Sequence, residues 1–259
     1  MLTILKIMLG IVFGFLALLF ILIVMVRLIL NKYGYSGYSF SKLFQAIKDA
    51  REENMIKHKQ VNGMTNIYLP TILKDFPDFN EKEFYTKTEE YIRHILNNIE
   101  SENLAAFNNS DYDLIRGKLV NQIRDLIDNN VKYRYDDIIF HKHAIKSYHK
   151  TKNVVKLDIS TSLEYYYEKI QNGKTVISNK RKKQTRYTVS YVYIYDTNKA
   201  GFDIQVLGIN CPNCGSPISS FEKKTCSYCK SGLNITVANL QKCWKIVDLK
   251  EDYWNKEVN

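Results

Sequence analysis

Cys211-Pro212-Asn213-Cys214 and Cys226-Ser227-Tyr228-Cys229 form two Cys-x-x-Cys pairs, separated by a short polar stretch from Gly215 to Thr225. This spacing lets four thiolates converge on one tetrahedral zinc ion. Pro212 fixes φ after the first cysteine. Gly215 follows the second, where such a turn commonly needs a positive φ, and Lys230 stands at the matching place after Cys229. Two disulfides or a thioredoxin-type redox pair are the competing readings. A redox pair needs a strand-to-helix junction, whereas the short stretch between these pairs leaves room only for a hairpin. Four thiolates also fill the coordination sphere, so the expected ion is structural and not catalytic. Cys243 lies beside Trp244 in an apolar stretch and reads as a small buried side chain, not a fifth ligand.

Other residues offer weaker chemistry. His141 and His143 lie two apart in an expected strand, which would place both rings on one side, with His149 in phase. That arrangement can bind a metal, but a solvated strand face accounts for it as well. Asp136 and Asp137 just before it read as turn residues. Asp158 and Glu164 alternate with apolar residues and are expected to face solvent. Tyr187, Tyr191, Tyr193 and Tyr195 share one strand face and are candidates to line a ligand pocket or a partner surface. Lys174, Lys180, Arg181, Lys182, Lys183 and Arg186 form the densest charge, with no acid between Lys174 and Arg186. They are candidates for contact with anionic lipid headgroups or an acidic protein partner. Nucleic acid ranks behind these, because no recognition helix with clustered arginines is present.

The elements that must position these residues begin with an apolar run, Ile7 to Val26, flanked by Lys6 and Arg27. It is expected to be an uncleaved transmembrane helix within an anchor spanning 1–30. Arg27, Lys32, Lys42 and Lys48 on its carboxyl side would keep the following domain in the cytoplasm, at the cell membrane. A reducing compartment would also preserve four free thiols. Residues 31–63 read as a linker: a joint from Tyr33 to Tyr38, a helix with Leu43, Phe44 and Ile47 on one face, and a break at Asn62-Gly63.

From residue 64 the pattern is that of a folded domain. Asn80 and Glu83 match a capping box ahead of a helix carrying Phe84, Thr88, Tyr91, Ile92, Ile95 and Ile99 on one side. A second helix is expected from Ser110 to Asp128, with Leu119 and Ile123 on its apolar stripe. Beyond residue 131 the period changes to two. Val155 to Tyr167 alternates clearly, Asn172-Gly173 marks a turn, and Thr185 to Tyr195 forms the second arm of a hairpin. A turn at Asp196 to Gly201, a strand at Phe202 to Ile209, and Ile235 to Val237 would bracket a zinc ribbon at 209–232. Hydrophobic residues at 45% and aromatics at 13% can support a packed core, and the net charge of +10 keeps the surface well away from neutrality.

Helices followed by a long antiparallel sheet make an α+β fold. That layout resembles bacterial proteins of the Tim forty-four-like domain family. So do Leu69-Pro70-Thr71-Ile72-Leu73, Asp75-Phe76-Pro77-Asp78-Phe79, the apolar run before them and Cys211-Pro212-Asn213-Cys214-Gly215 after them. The resemblance implies a cone-shaped, nuclear transport factor two-like fold over 64–259, with helices on a curved sheet around an apolar pocket. It also implies a tether or binding platform, and it carries over no catalytic residue. The glycine-rich arm found in such bacterial proteins is reduced here to Gly34 and Gly37. The expectation is therefore a membrane-anchored, non-catalytic docking module with structural zinc, an unidentified protein partner and a single-pass anchor. An enzyme or small-ligand receptor using the cone pocket, and a nucleic-acid-binding zinc ribbon, are the alternatives.

Overall fold

The computed structural model describes residues 2–32, 40–178, 180–195, 211, 213–217, 225–232 and 242–252. The joint at Tyr33–Tyr38, the turn at Asp196–Gly201, and the strands expected at Phe202–Ile209 and Ile235–Val237 lie outside the described residues. The chain divides into two units, Met1–Asn54 and Met55–Asn259.

The first unit holds helix α1 (Leu2–Lys32) and most of α2 (Phe40–Ile56). Among the described residues, no helix is long and apolar enough to cross a membrane, which corrects the expected N-terminal transmembrane helix.

The second unit is α+β. Three helices, α3 (Thr65–Asp75), α4 (Glu81–Glu100) and α5 (Arg116–Asp128), precede the strands β1 (Val131–Lys150), β2 (Val154–Gln171), β3 (Lys174–Ser178), β4 (Lys183–Ile194) and β5 (Trp244–Glu251). The sheet order is β1-β2-β4-β5, all antiparallel, with β3 paired to the end of β2. The expected hairpin therefore has a divided second arm. Asn172 and Gly173, both at positive φ, turn the chain into β3, and after Ser178–Lys182 the chain resumes along the same edge of β2 as β4.

Helix α4 starts where the sequence says it should. The Asn80 side chain accepts hydrogen bonds from the Lys82 and Glu83 backbone N–H groups at 3.1 and 3.3 Å. Its apolar stripe, Phe84, Ile92, Ile95, Leu96 and Ile99, is buried against the odd-numbered face of the sheet, formed by Leu157, Ile159, Leu163, Tyr165, Val189 and Tyr191. Truncating a fully enclosed member such as Ile92 to alanine removes about 2–5 kcal/mol. Thr88, buried on that stripe, satisfies its hydroxyl with Phe84 O at 2.7 Å and with the Tyr191 hydroxyl at 2.8 Å. Helix α5 is shorter than the sequence suggests, because 3₁₀ turns at Leu104–Phe107 and Ser110–Tyr112, each started by an asparagine side chain, come before it.

The even-numbered face of the sheet is polar yet closed. Residues 57–64 cross it as a strap. Asn62 N–H donates to Ser160 Oγ at 3.2 Å, Met64 N–H donates to Ile145 O at 2.8 Å, and Arg186 Nη1 donates to Gln60 O at 2.7 Å. Beneath it Ser160, Ser162, Thr188 and Ser190 are buried. Asp158 and Glu164, expected to face solvent, are instead mostly enclosed on this side, with side-chain exposures of 17% and 14%.

Candidate metal centre

The two knuckles fold alike because each repeats the same local hydrogen bonds. Gly215 N–H donates to Cys211 O at 2.9 Å, and Lys230 N–H donates to Cys226 O at 3.1 Å. Cys211 N–H donates to Ser216 O at 2.6 Å, and Cys226 N–H donates to Ser231 O at 2.9 Å. Gly215 and Lys230 both take a positive φ, +74° and +59°. A bridge between Thr225 and Gly232 closes the second knuckle at its base. Asn121 of α5 donates its side-chain amide to Asn213 Oδ1, so the first knuckle is fastened to the helical layer.

This backbone brings Cys211, Cys214, Cys226 and Cys229 together, with the four sulfurs within 4.8 Å of one another. Cys211 Sγ lies 3.8 Å from Cys229 Sγ, and Cys214 Sγ lies 3.7 Å from Cys226 Sγ. A disulfide needs about 2.05 Å. A tetrahedron of sulfurs around a metal at about 2.3 Å has edges of about 3.8 Å, which is the spacing observed. The four thiols thus stand at metal-binding distance. Cys243 is half-buried and is not one of the four.

The surroundings favour thiolate at Cys226 and Cys229. Ser216 Oγ is 3.0 Å from Cys214 Sγ and 3.2 Å from Cys226 Sγ, and Ser231 Oγ is 2.8 Å from Cys229 Sγ. Asn213 Nδ2 donates to Cys229 Sγ at 3.5 Å, and the Tyr228 backbone N–H donates to Cys226 Sγ at 3.4 Å. Asn213 and then Ser231 hold the Cys229 thiol down to about 5. Ser216 leads the groups that lower Cys226, while burial pushes Cys211 up to about 11. The serines recur at the same place in each repeat, Cys-Gly-Ser and Cys-Lys-Ser, which is the signal in the sequence for their role beside the sulfurs.

The histidines separate. A register shift between Phe140 and Lys142 breaks the alternation, so His141 and His143 face opposite sides of the sheet instead of sharing one. His143 points at the helices: Nε2 is 2.8 Å from Glu89 of α4, Nδ1 is 3.0 Å from Thr161 Oγ1, and the ring stacks on Tyr85. His141 points to the strap side, where its ring centroid is 3.7 Å from that of His58 and its Nε2 is 3.3 Å from Glu164 Oε2. His149 is exposed. Asp137 takes a φ of +51° in the irregular pairing between Asp136 and Ile139. Sequence spacing does not reveal the meeting of His58, His141 and Glu164, because the strap brings His58 from far along the chain.

Half of the basic cluster is neutralised by acids distant in sequence. Lys182 pairs with Asp137 at 2.5 Å and Glu164 at 3.3 Å, Lys183 with Glu251 at 2.8 Å, and Arg186 with Asp252 at 2.9 Å. Lys174, Lys180 and Arg181 are exposed. Tyr187 and Tyr191 are buried members of the core, and Tyr193 and Tyr195 pack at its margin. There Phe76 and Trp244 surround Tyr193 at ring distances of 4.9 and 5.5 Å.

No protein-family model matches the chain, and no curated protein matches it.

Proposed function

We propose that this chain is a non-catalytic binding or tethering module in which Cys211, Cys214, Cys226 and Cys229 hold a structural zinc ion. The observation that carries the reading is the pair of sulfur edges at 3.7 and 3.8 Å, the spacing a tetrahedral four-thiolate ion requires. With four sulfur ligands no coordination position remains for water or substrate, so the ion shapes the chain. It does so in the segment between β4 and β5, two neighbouring strands.

A protein partner is the occupant this arrangement suits. Tyr228, at the tip of the second knuckle, is 70% exposed on a backbone that the metal would make rigid, and a rigid exposed aromatic is a favourable anchor for an interface. A nucleic-acid role has less support, since Lys182, Lys183 and Arg186 already face carboxylates. Contact with lipid loses the argument that an anchor confines the domain to a bilayer.

The test is elemental analysis and thiol titration of the purified chain. The expected result is zinc bound by wild type, its loss in Cys211→Ser, and slow thiol modification that a chelator accelerates. Cobalt substitution should give the intense charge-transfer bands of thiolate ligation. An iron-loaded, coloured protein would replace zinc by iron, and thiols oxidised in pairs would remove the metal altogether. For the docking role, partners captured by wild type should be lost from Tyr228→Ala while its zinc content is unchanged. Equal capture by both would remove Tyr228 from the interface.

A further inference from the structure

We propose that His58, His141 and Glu164 form a second metal site, of the two-histidine, one-carboxylate type, which takes a zinc-class divalent ion and pins the 57–64 strap to the sheet. The ligand atoms lie within 4.8 Å of one another. His58 Nδ1 is 3.5 Å from Glu164 Oε2, and His141 Nε2 is 3.3 Å from the same oxygen. Nitrogen and oxygen ligands at about 2.0–2.1 Å from a tetrahedral ion stand about 3.3–3.4 Å apart, so these two edges fit with little adjustment.

A second observation is independent of the spacing. His141 Nε2 is buried and has no hydrogen-bond partner: its 3.3 Å approach to Glu164 is out of line for a hydrogen bond. A buried ring nitrogen left in this way is costly, and a metal ion would engage its lone pair. The carboxylate is also prepared. Gln184 Nε2 donates to Glu164 Oε2 at 2.5 Å, and Lys182 Nζ stands 3.3 Å from Oε1. Gln184 Oε1 also stands 3.2 Å from His58 Nδ1, a hydrogen bond that a metal ion at this nitrogen would replace.

The site differs in kind from the cysteine cluster. It has three protein ligands, and His58 is exposed, so a coordination position remains open to solvent. Its structural effect is local. His58 lies just past α2 and leads into the strap, whose later residues Gln60, Asn62 and Met64 are already hydrogen-bonded to the sheet. An ion at His58 would fix the beginning of that crossing as firmly as its end.

The experiment is a titration of metal-free, reduced full-length protein with zinc, read as bound metal per chain, with His58→Ala as the main variant because its exposed ring leaves the fold intact. Wild type should bind about two equivalents, and His58→Ala, His141→Ala and Glu164→Gln about one, with at least about tenfold weaker binding of the second ion. Cys211→Ser should lose the other equivalent and keep this one, so failure of the cysteine site and failure of this site are told apart. Trypsin cleavage after Lys57 and Lys59 should slow on addition of the second equivalent in wild type and not in His58→Ala. Wild type binding one equivalent that Cys211→Ser abolishes, or His58→Ala retaining both ions and the tryptic protection, would overturn the proposal.

Discussion

Gly215 and Lys230 occupy equivalent places in the two cysteine knuckles, at φ of +74° and +59°, each donating its backbone N–H to the carbonyl of the cysteine that opens its own knuckle. Only the first position carries the residue suited to that backbone. A side chain in the left-handed region costs about 1–2 kcal/mol, so Lys230 is a point of strain that the second knuckle tolerates. Lys230→Gly should therefore stabilise the metal-loaded module, by about 1 kcal/mol after the greater freedom of glycine in the unfolded chain is counted. Gly215→Ala should weaken it by a similar amount. Competition against a graded series of zinc chelators reads both changes, and a weakened Lys230→Gly would mean that Lys230 contributes an interaction greater than the strain.

Gly63 lies where the strap presses on β1. A methyl group added there would stand 2.5 Å from Ala144 Cβ and 2.7 Å from the Ile145 carbonyl oxygen, and the second of these is backbone that cannot move aside cheaply. Met64 N–H holds the strap down at Ile145 O, so the strap cannot rise without breaking that bond. Gly63→Ala should destabilise the second unit by about 1–3 kcal/mol, as overpacking does. Denaturant unfolding followed by tyrosine and tryptophan fluorescence measures this, and an unchanged midpoint would show that the strap is not laid tightly on the sheet.

Local signals were readable in the chain and distant ones were not. Two Cys-x-x-Cys pairs state their purpose within a short segment, and the alternation from Val155 to Tyr167 identifies which side of β2 meets the helices. The same alternation misplaces Asp158 and Glu164, because a strap of no regular period, Lys57 to Met64, covers the face they share. Period-two reasoning also fails at His141 and His143, where a register irregularity between Phe140 and Lys142 reverses the facing of β1 until the next one, between Ile145 and Ser147. Pro70 hides α3: proline reads as a breaker, yet it sits inside Thr65–Asp75. The basic run at 180–186 looks like a bare positive field until folding brings Asp137, Glu164, Glu251 and Asp252 beside it.

Asn80 is the clearest case of one side chain starting an element. Its carboxamide oxygen accepts from two backbone N–H groups of the first turn of α4, while Glu83, the other half of the capping box, pairs with Lys87 at 2.9 Å. The cap therefore works in one direction. Asn80→Ala should cost about 1 kcal/mol, Asn80→Asp should be close to neutral, and Glu83→Gln should change stability by only a few tenths. Thermal melts of the three variants test the order. A Glu83→Gln loss equal to that of Asn80→Ala would show that the reciprocal half of the box forms in solution.

Acid should weaken the fold through its half-buried histidines, His94 and His143. Burial lowers the His94 ring below its ordinary value of 6.5, and Tyr112 Oη sits 2.8 Å from its Nδ1. Burial lowers His143 too, against the opposing pull of Glu89. A base whose folded pKa is depressed binds fewer protons when folded than when unfolded. Its contribution is intact above about 6.5 and declines as the pH falls from there towards the folded value. Unfolding free energy should thus drop between about pH 7 and pH 5. His94→Gln, which keeps an acceptor for the Tyr112 hydroxyl, should flatten that slope, and adding His143→Gln should flatten it further. The comparison between variants cancels any acid release of metal from the cysteines, since all carry the same thiols. Parallel curves for wild type and both variants would show that neither histidine resists protonation in the folded chain.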